Sequence, residues 1–231
     1  MDQHETEQFH LFEPANDYQI TKRFLPHWFQ PGVTVFWTMR FMDSLPKSAI
    51  ERIEAEVTEW LWQNDPARRK ATNAIPFRWQ DYRFFAQSMQ PEIRNGVREK
   101  VSQQVNIELD KCHGECWFRQ PEVAQIMAGV LHYFDADRYD LDSFVIMPNH
   151  IHILFQFRDE NCFETIRPSW LRYSARLINK HLGRKGDLWQ PEPFDRLVRN
   201  AEEFESYQRY IAENPIRANL SSDQYLYWHR T

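Results

Sequence analysis

Residues 139–157 read YDLDSFVIMPNHIHILFQF. Two β-branched and aromatic runs, 139–147 and 150–157, flank a tight Pro148-Asn149 link, the pattern of a β-hairpin. Side chains alternate along a strand, so His150 and His152 project from the same face. The apolar residues around them bury the strand on at least one side, and a buried imidazole needs hydrogen-bond partners or a ligand. At about 6–7 Å between Cα atoms, both can reach one metal ion. Two satisfied core histidines are the structural alternative.

Upstream, GVTVFWTMRF (32–41) reads as a strand after Pro31-Gly32, and SLPKSAIERIEAEVTEWLWQ (44–63) as a helix with Ile50, Ile53, Val57 and Leu61 at three- and four-residue steps. Residues 64–91 are of mixed polarity with several prolines and read as irregular, and helices are expected at 91–110 and 121–138. Downstream, RPSWLRYSARLINKHLG (167–183) is a helix with Pro168 suited to its first turn and Gly183 to its end. A strand at PFDRLVRN (193–200) precedes a helix at AEEFESYQRYIAEN, closed by Asn214-Pro215. The order strand, helix, strand, strand, helix, strand is the split βαβ, ferredoxin-like arrangement: an α+β fold with an antiparallel sheet and helices on one face. The expected organisation is an N-terminal extension (1–30), one domain (31–220) with a helical insertion (64–118), and a C-terminal tail (221–231).

With 231 residues, 42% hydrophobic and 15% aromatic, the chain has enough apolar material for one sizeable core. No apolar run reaches the length of a membrane span, and the polar, acidic start lacks the layout of a signal peptide. A cytoplasmic, nucleoid-associated protein without a membrane partner is expected. Three cysteines do not suggest a disulfide framework. Cys112, His113 and Cys116 invite a zinc reading, but no second pair follows at finger-like spacing, and a Gly114 turn leading into the core is the plainer account. The net charge of −5 speaks against a nucleic-acid partner, but residues 161–199 hold eight Lys/Arg against four acids, a local +4 on a body of −9. Such a strip can bind phosphate.

The segments MPNHIHIL, WLRYSARLINKHLGRKGDLWQ, FDRLVRN and YIAENPIRANL, in this order and spacing, resemble the REP-associated tyrosine transposases, a branch of the HUH single-tyrosine transposases. VFWTMRFMDSLP and GECWF…VLHYFDADRYDLDSFVIMPNH also look like that branch, and the likeness runs over most of 32–220. The resemblance implies an endonuclease and strand transferase acting on single-stranded or hairpin DNA. His150 and His152 would hold Mg²⁺ or Mn²⁺, and a tyrosine would attack the scissile phosphate to give a 5′-phosphotyrosine. The nucleophile aligns with Tyr173, while Tyr207 and Tyr210 in the last helix read as packing residues. Related enzymes take a third ligand one turn after the tyrosine. That position is Leu177, which cannot ligate; Asn179 is the nearest amide, though about 240° around the helix from Tyr173, and water or a substrate oxygen are the alternatives.

Guanidinium groups bind phosphate in bidentate fashion, which makes Arg172, Arg176, Arg196 and Arg199 candidate DNA contacts, each equally a solvated surface residue. In GRKGDLWQ (183–190), Arg184 and Lys185 could hold a strand whose base stacks on Trp189; Trp189 could as well anchor the core. Asp195 could orient a histidine or an arginine, or cap a turn. The competing functions are a catalytically idle binder of DNA hairpins and a hydrolase of small phosphoesters. A monomer or homodimer is expected.

Overall fold

The computed structural model describes residues 9–13, 19–22, 26–30, 32–65, 68, 76–81, 89–158, 162–191 and 194–231. Most of 66–88, expected to be irregular, lies outside them. The chain divides into two compact units: residues 43–114, and the two flanking stretches 1–42 and 115–231 taken together.

The 43–114 unit is built on helices α1 (Lys47–Asn64) and α2 (Pro91–Leu109). Ala49, Ile53, Val57 and Leu61 recur every fourth residue on α1, as Val97, Val101, Val105 and Leu109 do on α2, and all eight are buried. Two such stripes hide each other's apolar surface. A Cβ on Gly96 would stand 2.2 Å from the Trp60 ring, so the helices meet where only glycine fits. Arg52 holds Glu108 through two hydrogen bonds of 2.9 and 2.7 Å, and Lys111 and His113 add 2.8 and 3.1 Å contacts to the same carboxylate.

The other unit carries a five-stranded sheet. Its strands are β3 (Thr34–Arg40), β4 (Tyr139–Ile146), β5 (His150–Phe157), β6 (Phe194–Leu197) and β7 (Leu226–His229), in the order β6-β3-β5-β4-β7 and antiparallel throughout. A hairpin of β1 (Gln19–Lys22) and β2 (Pro26–Phe29) forms a separate two-stranded sheet. The order of the first four strands is the ferredoxin-like one expected. Strand β7, in the stretch read as a tail, adds an edge beside β4. The helix between β3 and β4 that packs with α4 (Cys162–His181) is α3 (Pro121–His132); α1, read as the fold's first helix, belongs to the other unit.

One sheet face bears Trp37, Ile151, Ile153, Phe155 and Phe157, and it packs against α3 and against Trp170 and Ile178 of α4 (Cys162–His181). The other face bears Phe36, Val145 and Leu154 and packs against Phe204 and Ile211 of α5 (Ala201–Arg217). Helices thus cover both faces, not one. Every residue of β4 and β5 is buried as a result. Two helix limits also differ from expectation. Helix α4 begins before Pro168, which lies inside it. Helix α5 runs through Pro215 to Arg217, because Ala218 N–H still reaches the Asn214 carbonyl at 3.0 Å and only one ladder bond is lost. Asn200 caps α5 by accepting from Glu203 N–H at 2.8 Å.

The N-terminal segment is tied to this unit. Thr34 N–H donates to the His10 carbonyl at 2.7 Å, Phe12 N–H to the Val198 carbonyl at 2.7 Å, and Phe9 packs on Phe204.

Candidate active site

In the β3–β5 register, Thr38 stands opposite His152 and Arg40 opposite His150. These four side chains therefore share the face covered by α5. Both imidazoles are fully buried, and their Nε2 atoms are 3.1 Å apart. Asn149 Oδ1 accepts from His150 Nδ1 at 2.8 Å, which leaves the His150 Nε2 lone pair turned toward His152. His152 Nδ1 meets Thr38 Oγ1 at 2.8 Å. A hydroxyl can donate or accept. When Thr38 accepts, both Nε2 lone pairs point to one place; when it donates, His152 Nε2–H can bond to His150.

Burial drives the His150 pKa down to about 3, helped by the neighbouring Arg40 charge and opposed by a contact with Asn214. Burial, then the His150 and Arg217 charges, hold His152 well below its ordinary value. Both rings are neutral at pH 7, the form that ligates metal. The guanidinium of Arg40 is enclosed and its pKa falls to about 10 through burial, although the residue as a whole keeps some exposure.

Helix α5 closes the site. Tyr210 Oη is 3.4 Å from His152 Nε2, and the two rings cross at 73° with centroids 5.0 Å apart. Phe36 holds this group in place, stacked on His152 at 5.4 Å and on Tyr207 at 4.3 Å. One turn after Tyr210 comes Asn214, fully buried, with neither amide atom in a hydrogen bond of normal geometry. Two residues beyond Pro215, the exposed Arg217 sets its guanidinium 5.1 Å from the Tyr210 ring centroid. Positions 210, 214 and 217 fall on one stripe of a 3.6-residue helix. Only the continuation of α5 through Pro215 brings Arg217 onto it.

The donor set fits a divalent ion. Two nitrogens on adjacent corners of an octahedral ion with bonds of about 2.1 Å stand about 3 Å apart, close to the observed His150–His152 spacing. The orphaned Asn214 amide offers the oxygen donor that a hard cation favours. Among the described residues no group of three His, Cys, Asp or Glu could hold a metal, so the amide is the third protein donor at hand.

Several expected site residues are elsewhere. Tyr173 is 41% exposed on α4, across the sheet from the histidines. The tyrosine expected as nucleophile is thus placed on the sheet face away from the histidine pair that it was expected to approach. Asn179 is engaged in its own loop, donating to the Gly186 carbonyl at 2.9 Å and accepting from Arg184 at 2.6 Å, so it is no metal donor. Trp189 is buried against the stacked Phe41 and Phe118 rings, and its indole N–H donates to Ser174 Oγ at 2.9 Å; it is a core anchor, closed to a base. Asp195 stands opposite Trp37 in the β3–β6 register, on the face away from the histidines, and cannot orient them. Arg196 stands opposite Phe36 on the histidine face, and Arg199 is exposed just beyond β6. Arg172, Arg176 and Lys185 are exposed on α4 and the loop after it. Arg184 is half-buried and held by Asn179 and the Asp187 carbonyl. Cys112 is half-buried, with its thiol 3.7 Å from the Asp110 carbonyl, and Cys116 is buried.

The residues missed by sequence reasoning are Tyr210, Asn214, Arg217, Thr38 and Arg40. A usable signal existed: an amide stands four residues after Tyr210, the spacing that fails at Leu177.

No helix among the described residues is long and apolar enough to cross a membrane. No family model matches the chain, and no curated protein matches it. A solved chain with a distant likeness is that of a REP-associated tyrosine transposase bound to a REP hairpin: 13% identical, TM-score 0.42, covering 84% of this chain and 73% of that one.

Proposed function

We propose that this chain is a metal-dependent enzyme that cuts and rejoins single-stranded DNA at hairpins, with Tyr210 as its nucleophile. The observation that carries the reading is the 3.4 Å approach of Tyr210 Oη to His152 Nε2 beside the paired histidines. Mg²⁺ or Mn²⁺ held by His150, His152 and Asn214 would supply positive charge to the scissile phosphate.

Tyr210 Oη attacks phosphorus, the O–P bond forms, and the P–O3′ bond breaks. The phenolic proton is released to solvent and the departing 3′ oxygen takes up a proton as a hydroxyl. The phosphotyrosine ester conserves the energy of the broken bond, so the reverse attack by a 3′-OH rejoins the strand without ATP. Arg217 binds a phosphate oxygen at the mouth of the site, in the bidentate manner of a guanidinium. Phe36, backed by Tyr207, holds the His152 ring, and α5 covers the buried histidines.

A catalytically idle binder is favoured by the lack of an amide at Leu177; Asn214 removes that ground. The test is incubation of the protein with hairpin-forming single-stranded DNA and Mn²⁺, followed by a denaturing gel. A covalent protein–DNA adduct is expected from the wild type and none from Tyr210→Phe. An adduct that persists in Tyr210→Phe would overturn the assignment.

A further inference from the structure

Helix α4 carries a charge pattern that the cutting site does not use and that meets the rest of the fold only within its own helix, where Arg172 Nε donates to the Pro168 carbonyl at 3.3 Å. Arg172, Arg176 and Lys180 are all exposed and fall at four-residue steps, a straight ridge with about 6 Å between neighbours. Like charges at this spacing repel one another along a helix. Several helical cations elsewhere are paired: Lys47 with Glu51 at 3.8 Å, Arg209 with Glu205 at 4.0 Å, Lys100 with Glu56 at 3.3 Å. Among the described residues the three α4 cations make no ion pair, and no described carboxylate lies within one helical turn of them. Tyr173 stands beside the ridge, with the Arg176 guanidinium 5.0 Å over its ring. All this belongs to a chain of net charge −5.

We infer that this ridge is a second DNA-binding surface, on the sheet face opposite the cutting site, and that it grips the paired stem of the hairpin. A rigid row of evenly spaced cations suits the regular phosphate backbone of a duplex. An unpaired strand calls instead for successive open aromatic faces. Trp189 is buried here, and Tyr173 is a single ring with Arg176 over one face, so the ridge offers no such series. The stem and the cut strand are held on different faces of one sheet. This inference rests on the nuclease reading only for the identity of the DNA as a hairpin.

The test is fluorescence anisotropy across a salt series, with a DNA hairpin and an oligothymidine of equal length. The wild type is compared with the triple variant Arg172→Ala, Arg176→Ala, Lys180→Ala. The variant should lose about tenfold or more in hairpin affinity, and its log–log salt slope should flatten by about 2–3, as expected for three lost phosphate contacts. Its oligothymidine affinity should stay within about twofold of wild type. Because all three side chains are exposed, the thermal melt should not move; a charge-keeping variant, Arg172→Lys with Arg176→Lys, should retain most hairpin binding. Unchanged hairpin affinity, equal losses on both DNAs, or a wild type that does not bind the hairpin would each overturn the inference. Adduct formation with a single strand, measured in parallel, reports on Tyr210 alone. A protein that binds the hairpin through the ridge yet forms no adduct removes the nuclease reading and leaves the ridge standing.

Discussion

Helices α4 and α5 invite direct comparison. Each carries a tyrosine with an arginine close by on its own helix: Tyr173 under Arg176, and Tyr210 under Arg217. Their local chemistry is nearly the same, yet only the helix on the histidine face brings its phenol to His152. Position relative to the sheet separates a phenol at the histidine pair from a surface residue. The residue one turn after each tyrosine agrees with this division: half-buried Leu177 packs onto the core, whereas Asn214 leaves an unsatisfied amide beside His150.

Removing the two phenols in turn should separate the helices most clearly. Tyr210→Phe should reduce cleavage and adduct to background, while Tyr173→Phe should keep cleavage within about twofold, both read on denaturing gels. Full activity in the first variant, or its loss in the second, would reverse the roles of the two helices. Asn214→Ala comes next. Removing the amide should weaken Mn²⁺ binding by about 10–100-fold in calorimetry, with little loss of folding stability because no protein hydrogen bond of normal geometry is broken. Leu177→Ala should leave Mn²⁺ affinity alone and cost about 2–3 kcal/mol of stability through the α4-side core. Of the two variants on the histidine face, Thr38→Val should have the smaller effect on the metal, about tenfold, by freeing the His152 Nδ1 proton from its acceptor and loosening the ring.

A control lies in the other unit. Glu108, its carboxyl pKa held down to about 2 chiefly by Arg52, is depressed below its ordinary value of 4.5. Its stabilising contribution is therefore complete above about pH 4.5 and is lost as pH falls toward 2. Thermal melts should show Glu108→Gln destabilised at neutral pH and converging on the wild type in acid, with no change in Mn²⁺ affinity at neutral pH. A difference that persists undiminished in acid would mean that packing, not charge, is what Glu108 supplies.

How much of the molecule was legible varies with the range of the interaction. The hairpin 139–157, the four ferredoxin-like strands and the histidine pair were readable because period-two alternation is a local signal. The stripes of α1 and α2 were equally readable, but not their mutual pairing, since an amphipathic helix states that a face is hidden and not by what. Trp189 shows the same limit: a tryptophan in a basic glycine-rich loop has one composition whether it stacks on a base or packs against Phe41 and Phe118.

By itself, the sequence determined the four ferredoxin-like strands, the antiparallel hairpin, the shared face of His150 and His152, and the tyrosine–asparagine spacing of α5. Those arise from backbone periodicity, which acts over a few residues. The tertiary structure alone decided that α5 crosses to the histidine face while α4 packs on the other, and so that Tyr210, Asn214 and Arg217 meet the histidines while Tyr173 does not. An apolar stripe is satisfied by either face of a sheet that is hydrophobic on both, and only the assembled strands and the packing of Phe204 and Ile211 on Phe36, Val145 and Leu154 fix the choice.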